Sequence, residues 1–196
     1  MHLAVKILSR ALIAASVYEG SIQLKENAER HHYWSLARAY SDLARKPLLV
    51  VGMKRHWFQP PNGDITVDID HEVESIAGGI RADERALPFR DKEFGAVYNA
   101  HTLEHLATPE DVELAVNECL RVGDIALFLA PSPYSIIANF FCPSHHLRLW
   151  LDNVTNEIVC KPRNFQTGLG FHSGRVLTGQ AMLSYTPIRV PSIIYE

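Results

Sequence analysis

Apolar residues in the first part of the chain recur at helical spacing. Leu3, Ile7, Leu8, Ala11, Leu12 and Ala15 fall on one face, with Lys6, Ser9 and Arg10 on the other. This pattern predicts a packed amphipathic helix over Met1–Val17. It opposes a secretory signal, whose apolar core would here shrink to Ala11–Val17 with Arg10 abutting it. No run approaches the about 18 apolar residues of a membrane span. A second helical stretch is expected from about Gln23 to Arg45, with Trp34, Ala37, Tyr40, Leu43 and Ala44 on its buried side. Lys46-Pro47 ends it, because the residue before a proline is pushed out of helical geometry.

From there the spacing changes to short continuous apolar runs. Leu48–Gly52 reads as a strand covered on both faces and Ile125–Ala130 as a further buried strand. Ile65–Ile69, β-branched and punctuated by Asp68, and Ala96–Tyr98, introduced by the turn-prone Asp91–Gly95, read as strands as well. Thr108-Pro109-Glu110-Asp111 is a helix start, with a capping threonine, a proline at the first helical position and acids in the first turn. That helix is expected to stop at Gly123. Alternating strands and helices predict an α/β fold with a doubly wound, mostly parallel sheet preceded by N-terminal helices. Beyond Leu151 the pattern weakens; Glu157–Lys161 and Ala181–Val190 are strand candidates around a loop bearing Gly168, Gly170 and Gly174. A single domain over 1–196 is expected, with N-terminal helices (1–46), a core (47–151) and C-terminal strands and loop (152–196).

Composition narrows the function classes. Of 196 residues, 47% are hydrophobic and 21% charged, as in an ordinary globular protein. The formal net charge of −3 offers no basic surface, so no nucleic-acid partner is expected. Cys119, Cys142 and Cys160 are an odd number at wide spacings, which argues against a disulfide framework and for a reducing, cytoplasmic setting. Cys142-Pro-Ser-His145-His146 holds zinc-type ligands, but no second Cys/His group at metal-site spacing accompanies it, so no metal is expected. Neither G-x-G-x-x-G nor G-x-S-x-G occurs, which disfavours a nicotinamide dehydrogenase and an α/β-hydrolase.

The stretch Ala82-Asp83-Glu84-Arg85-Ala86-Leu87-Pro88-Phe89, the acidic turn Asp91–Glu93, the strand residues Ala96–Tyr98 and then Leu103-Glu104-His105 follow one another at characteristic intervals. This order resembles the type 11 group of class I S-adenosylmethionine-dependent methyltransferases over roughly residues 48–151. The resemblance implies a Rossmann-like fold, S-adenosylmethionine as cofactor and a small-molecule methyl acceptor. It assigns the ribose-binding acid to Asp68, with Asp70 in reserve, next to Ile69. It assigns the adenine side to Asp83 and Glu84, and the methionine side to Asn99, Ala100 and His101. If a general base is needed, His101, His105, His145 and His146 are candidates.

The segment after the first strand departs from that family. Gly52 runs into Met53-Lys54-Arg55-His56-Trp57-Phe58 and then Pro60-Pro61, too short and too proline-rich for a helical crossover. The helix N-terminus that would receive the methionine carboxylate is missing. Gly52, Met53 and Lys54 are still expected along the cofactor, with Lys54 or Arg55 replacing the lost positive end. Trp57 or Phe58 either covers the sulfonium or packs the loop onto the sheet. A non-catalytic binding or scaffold protein that keeps the same sheet is the alternative function.

Overall fold

The computed structural model describes residues 2–152, 157–164, 170–171, 176–177 and 181–183. The chain opens with one helix, α1 (His2–Ala44), of 43 residues. Strands β1 (Leu48–Val51) and β2 (Ile65–Asp68) follow, then a 3₁₀ turn at His71–Ser75 and β3 (Gly79–Arg81). Next come β4 (Phe94–Ala100), a 3₁₀ turn at Leu103–His105, α2 (Pro109–Val122) and β5 (Gly123–Leu129). A π-helical turn at Ile137–Phe141 leads to β6 (Leu147–Asp152) and β7 (Glu157–Asn164). The short strands β8 (Gly170–Phe171), β9 (Val176–Leu177) and β10 (Ala181–Leu183) complete the described elements.

The main sheet has six strands in the order β10-β5-β4-β1-β2-β3, and every pairing in it is parallel. This is the Rossmann-like α/β sheet expected from the sequence. Alternate residues of each strand feed opposite faces. Leu48 and Val50 of β1, Ala96 and Tyr98 of β4, and Ile125, Leu127 and Leu129 of β5 pack under Tyr33 and Ala37 of α1. Leu49, Val51, Val67, Val97, Ala126 and Phe128 face Val112, Ala115, Val116 and Cys119 of α2. Leu147 and Leu149 of β6 and Cys160 of β7 extend that second layer. At Gly95 a Cβ would lie 2.7 Å from Ser41 Cα, so α1 approaches β4 as closely as a backbone allows.

Three expectations are corrected. The two N-terminal helical stretches are one continuous helix. Gly20 sits within it at a cost of about 1 kcal/mol relative to alanine. Residues 5–18 are not packed: all are exposed, Leu8 at 74%. Contact with the rest of the chain begins where the Tyr18 hydroxyl donates to the Tyr134 carbonyl (3.2 Å), followed by Glu19 and Glu26, whose buried carboxylates accept from Ser135 Oγ (2.6 Å) and the Ser132 amide (2.6 Å). An amphipathic period alone does not reveal whether anything lies against the apolar face. Leu43 is likewise exposed, although its neighbour Ala44 still meets β4 at Gly95.

The strands β3 and β6 went unread. Gly79-Ile80-Arg81 is too short and mixed to show a pattern, while Leu147 and Leu149 alternate with half-buried Arg148 and Trp150. Beyond Leu151, β7 covers Glu157–Lys161 as expected, and β10 covers the start of the Ala181–Val190 candidate; its remainder, with Gly168 and Gly174, lies outside the described residues. The second sheet has four strands, in which β7 pairs antiparallel with β6, β8 and β9.

Candidate functional site

Strand order reverses between β1 and β4, which both start their outward connections at the carboxyl edge. Open α/β sheets bind ligands in the crevice at such a switch point. A cavity of about 800 Å³ opens there, bounded by Gly52, Asp68 and Asp83 on one side and by His101, Glu104 and His145 on the other. Gly52 turns out of β1 at φ +89°, and a Cβ there would lie 2.7 Å from the Thr102 methyl. The chain then runs to Asp64 without a helix, as its prolines require.

Of the expected cofactor residues, Gly52, Met53, Lys54, Asp68, Ile69, Asp83, Glu84, Ala100 and His101 line the cavity. Asn99 does not. It is fully buried beneath the floor, where its amide donates to Glu84 Oε2 (2.8 Å). Thr102 Oγ1 lies 2.9 Å from the same oxygen and 2.5 Å from Asn99 Oδ1. Burial raises Glu84 to about 6 against these hydrogen bonds. Asn99 thus holds Glu84 in place rather than meeting a ligand itself.

Asp68 ends β2 with its side chain 12% exposed. Its Oδ2 accepts from the Met53 amide (2.8 Å) and its Oδ1 from the Asp70 amide (2.9 Å). These bonds pin the loop after β1 against β2 and leave lone pairs on both oxygens. Arg55 reaches Asp68 (3.5 Å), Asp70 (3.2 Å) and Glu72 (3.6 Å), so its charge is spent on the acid-rich corner. Asp83 is gripped by Arg85, whose hydrogen bonds hold it below the usual carboxylate range; Arg85 also binds Asp111. Lys54 is exposed at the rim and makes no ion pair among the described residues.

The two aromatics after Arg55 take different positions. Trp57 is 89% exposed and does not pack the loop onto the sheet, nor does it line the cavity. Phe58 does line it, held by a 2.8 Å contact from His31 Nε2 to the Phe58 carbonyl. No ring fills the crevice above Gly52.

Two features escaped the sequence. Arg30, from the middle of α1, enters the cavity; its Nε has no hydrogen-bond partner, and the guanidinium makes no ion pair among the described residues. Only the docking of α1 across the sheet brings it there. The other is the environment of Glu104, which is 1% exposed with neither carboxyl oxygen hydrogen-bonded. Burial pushes its carboxyl up to about 8. His101 Nδ1 and His145 Nε2 lie 3.6 Å and 3.8 Å from Glu104 Oε1, and His105 joins them at the cavity edge. Burial drives His101 well below its ordinary range, His145 to about 4 and His105 downward. His101 also adopts φ +59°, a left-handed conformation uncommon for a residue with a Cβ. His146 is exposed and outside the cavity.

Residues 64–124, from β2 to the start of β5, match the family model described as a methyltransferase domain. Over that segment the chain is similar to a methyltransferase domain, in line with the type 11 resemblance of its sequence. The matched segment carries Asp68, Asp83, Glu84, His101, Glu104 and His105, and this domain type is that of S-adenosylmethionine-dependent methylation. No curated protein matches the chain. The methyltransferase match begins after the shortened loop and ends before His145, so Gly52–Lys54 and Arg30 lie outside it. Among the described residues no helix is long and apolar enough to cross a membrane.

Proposed function

We propose that this chain binds S-adenosylmethionine in the switch-point cavity and transfers its methyl group to a small-molecule acceptor. The observation that carries the reading is the cavity itself, open above Gly52 and edged by Asp68 and Asp83 at the family's positions. The residues present fit the cofactor. Asp68 keeps free lone pairs for a ribose diol, and Asp83 and Glu84 stand where an adenine amino group is received. Arg30, with an orphaned Nε inside the cavity, takes the place of the lost helix N-terminus as partner of the methionine carboxylate. Lys54 adds positive charge at the rim, whereas Arg55 serves the loop.

When bound, the cofactor supplies an electrophilic methyl on a sulfonium. The protein's part is to hold the acceptor in line with it and exclude water. His101 and His145 flank the far end of the cavity as neutral imidazoles, able to accept a proton from an acceptor. His105 stands at the rim of the same end, while His146 has no access. The whole chain is taken to act as one domain. Its three free cysteines, two of them buried, fit a reducing cytoplasmic setting.

A second reading, a non-catalytic binding or scaffold protein, is favoured by the helix-free segment after β1. Equilibrium dialysis with labelled S-adenosylmethionine separates the two. Arg30→Met is expected to weaken binding more than tenfold and Arg30→Lys much less. Asp68→Ala is expected to lose two hydrogen bonds to a charged acceptor, each worth about 1.5–3 kcal/mol. Wild type and Arg30→Met binding alike would remove Arg30 from the site; no binding by the wild type leaves the scaffold reading.

A further inference from the structure

The acceptor end of the cavity has a donor set that methyl transfer does not require. Glu104, His105 and His145 each offer one ligand atom, and these three atoms lie within 4.8 Å of one another. Glu104 is the second, independent sign of a missing partner: a carboxylate 1% exposed, on the cavity wall, with both oxygens free of hydrogen bonds. A buried carboxylate left this way is costly unless a cation or donor completes it.

The histidines are oriented for the same task. His105 Nδ1 lies 2.9 Å from the Ser144 carbonyl, and His145 Nδ1 lies 3.2 Å from the Ala138 carbonyl. A carbonyl only accepts, so each Nδ1 carries the proton and each Nε2 is left with a bare lone pair. Backbone carbonyls fix the tautomer of metal-bound histidines in this way. The two rings meet edge to face, with centroids 4.8 Å apart. His101 Nδ1 lies 3.6 Å from Glu104 Oε1 but is not one of the three clustered ligand atoms.

We propose that Glu104, His105 and His145 form a site for a divalent first-row transition metal ion, zinc being the type. Two imidazoles and one carboxylate with an open side match the three-ligand pattern of reactive zinc sites. Imidazole donors favour zinc, cobalt, nickel or iron over magnesium or calcium. With bonds of about 2.0–2.2 Å, tetrahedral ligand atoms stand about 3.3 Å apart, so the side chains must close by up to about 1.5 Å. His105, the exposed last residue of the 3₁₀ turn, has the room to do so. The ligands come from two places, the Glu104-His105 turn after β4 and the segment before β6, which explains why no Cys/His repeat announced them. Arg30 is the cation that faces Glu104 from α1, and a carboxylate resting on Arg30 would offset its charge. The open position faces the cavity, where an oxygen or nitrogen of the acceptor would complete the ion. That last role rests on the proposed function; ion binding itself does not.

The test uses chelator-treated full-length protein without cofactor, titrated with Co²⁺ and followed by visible absorption, with Zn²⁺ calorimetry alongside. Saturation at one ion per chain is expected. Glu104→Gln and His145→Ala should each weaken it more than tenfold, and the surface control His71→Ala should leave it unchanged. Circular dichroism identifies any variant that fails to fold; His145→Asn then replaces it, with the same expected loss. No uptake of Co²⁺ by the wild type at millimolar concentration overturns the site. So does uptake that folded Glu104→Gln and His145 variants leave intact. Titrating the metal-free protein with S-adenosylmethionine is a separate measurement, so failure of the ion site and failure of the methyltransferase reading are told apart.

Discussion

Glu84 should make the fold lose stability as pH rises from about 4.5 to about 7. Its carboxyl lines the cavity, partly buried, and is raised from 4.5 to about 6, burial outweighing the bonds from Asn99 and Thr102. A raised carboxyl means that the unfolded chain ionises first. The neutral form therefore favours the fold fully below 4.5, and this contribution is lost as pH passes through 6. A shift of about 1.5 units corresponds to about 2 kcal/mol. Glu84→Gln keeps the shape and an accepting oxygen but cannot ionise. The variant should match the wild type near pH 4.5 and exceed it by about 2 kcal/mol at pH 7.5. In a chain of this size that is about 4–8 °C in Tm. Parallel thermal melts from pH 4.5 to 7.5 give the difference directly, because every other titrating group is common to both proteins. A difference that stays flat with pH, or that favours the wild type at pH 7.5, would refute the reasoning.

Two local predictions follow from the backbone. Thr108 caps α2, its Oγ1 accepting from the Asp111 amide at 3.1 Å, so Thr108→Ala should cost about 1 kcal/mol; Thr108→Ser should restore most of the loss in urea unfolding, and an unchanged midpoint in the alanine variant would speak against the cap. Gly52→Ala places a Cβ at φ +89° and 2.7 Å from the Thr102 methyl, at a cost of about 1–3 kcal/mol. Because Thr102 also steadies Glu84, the same variant should bind S-adenosylmethionine more weakly, and unaltered stability and affinity together would contradict this account of the turn.

The core sheet was legible because β1 and the Ile125–Leu129 part of β5 are apolar runs with both faces covered, and α2 carries its cap, proline and acids in order. Periodicity failed where burial depends on a partner distant in sequence. Leu8 and Leu12 follow the same helical pattern that packs Tyr33 and Ala37, yet nothing among the described residues lies against them. Likewise Asp68 and Asp83 could be placed by their order along the family pattern, because each ends or follows its own strand. Arg30 could not, since only the angle at which α1 crosses β4 brings it to the cavity. His145 was visible as a candidate base and Glu104 only as part of the Leu-Glu-His pattern; their pairing depends on β6 returning beside the turn after β4, a strand whose half-buried alternation hid it.

The central claim is that this cavity is a cofactor site despite the missing helix after β1. Isothermal titration of the wild-type protein with S-adenosylmethionine and with its demethylated product, at pH 7.5, tests it most directly. One site per chain for both ligands is expected, at micromolar affinity. No heat of binding for either ligand up to millimolar concentration would contradict it.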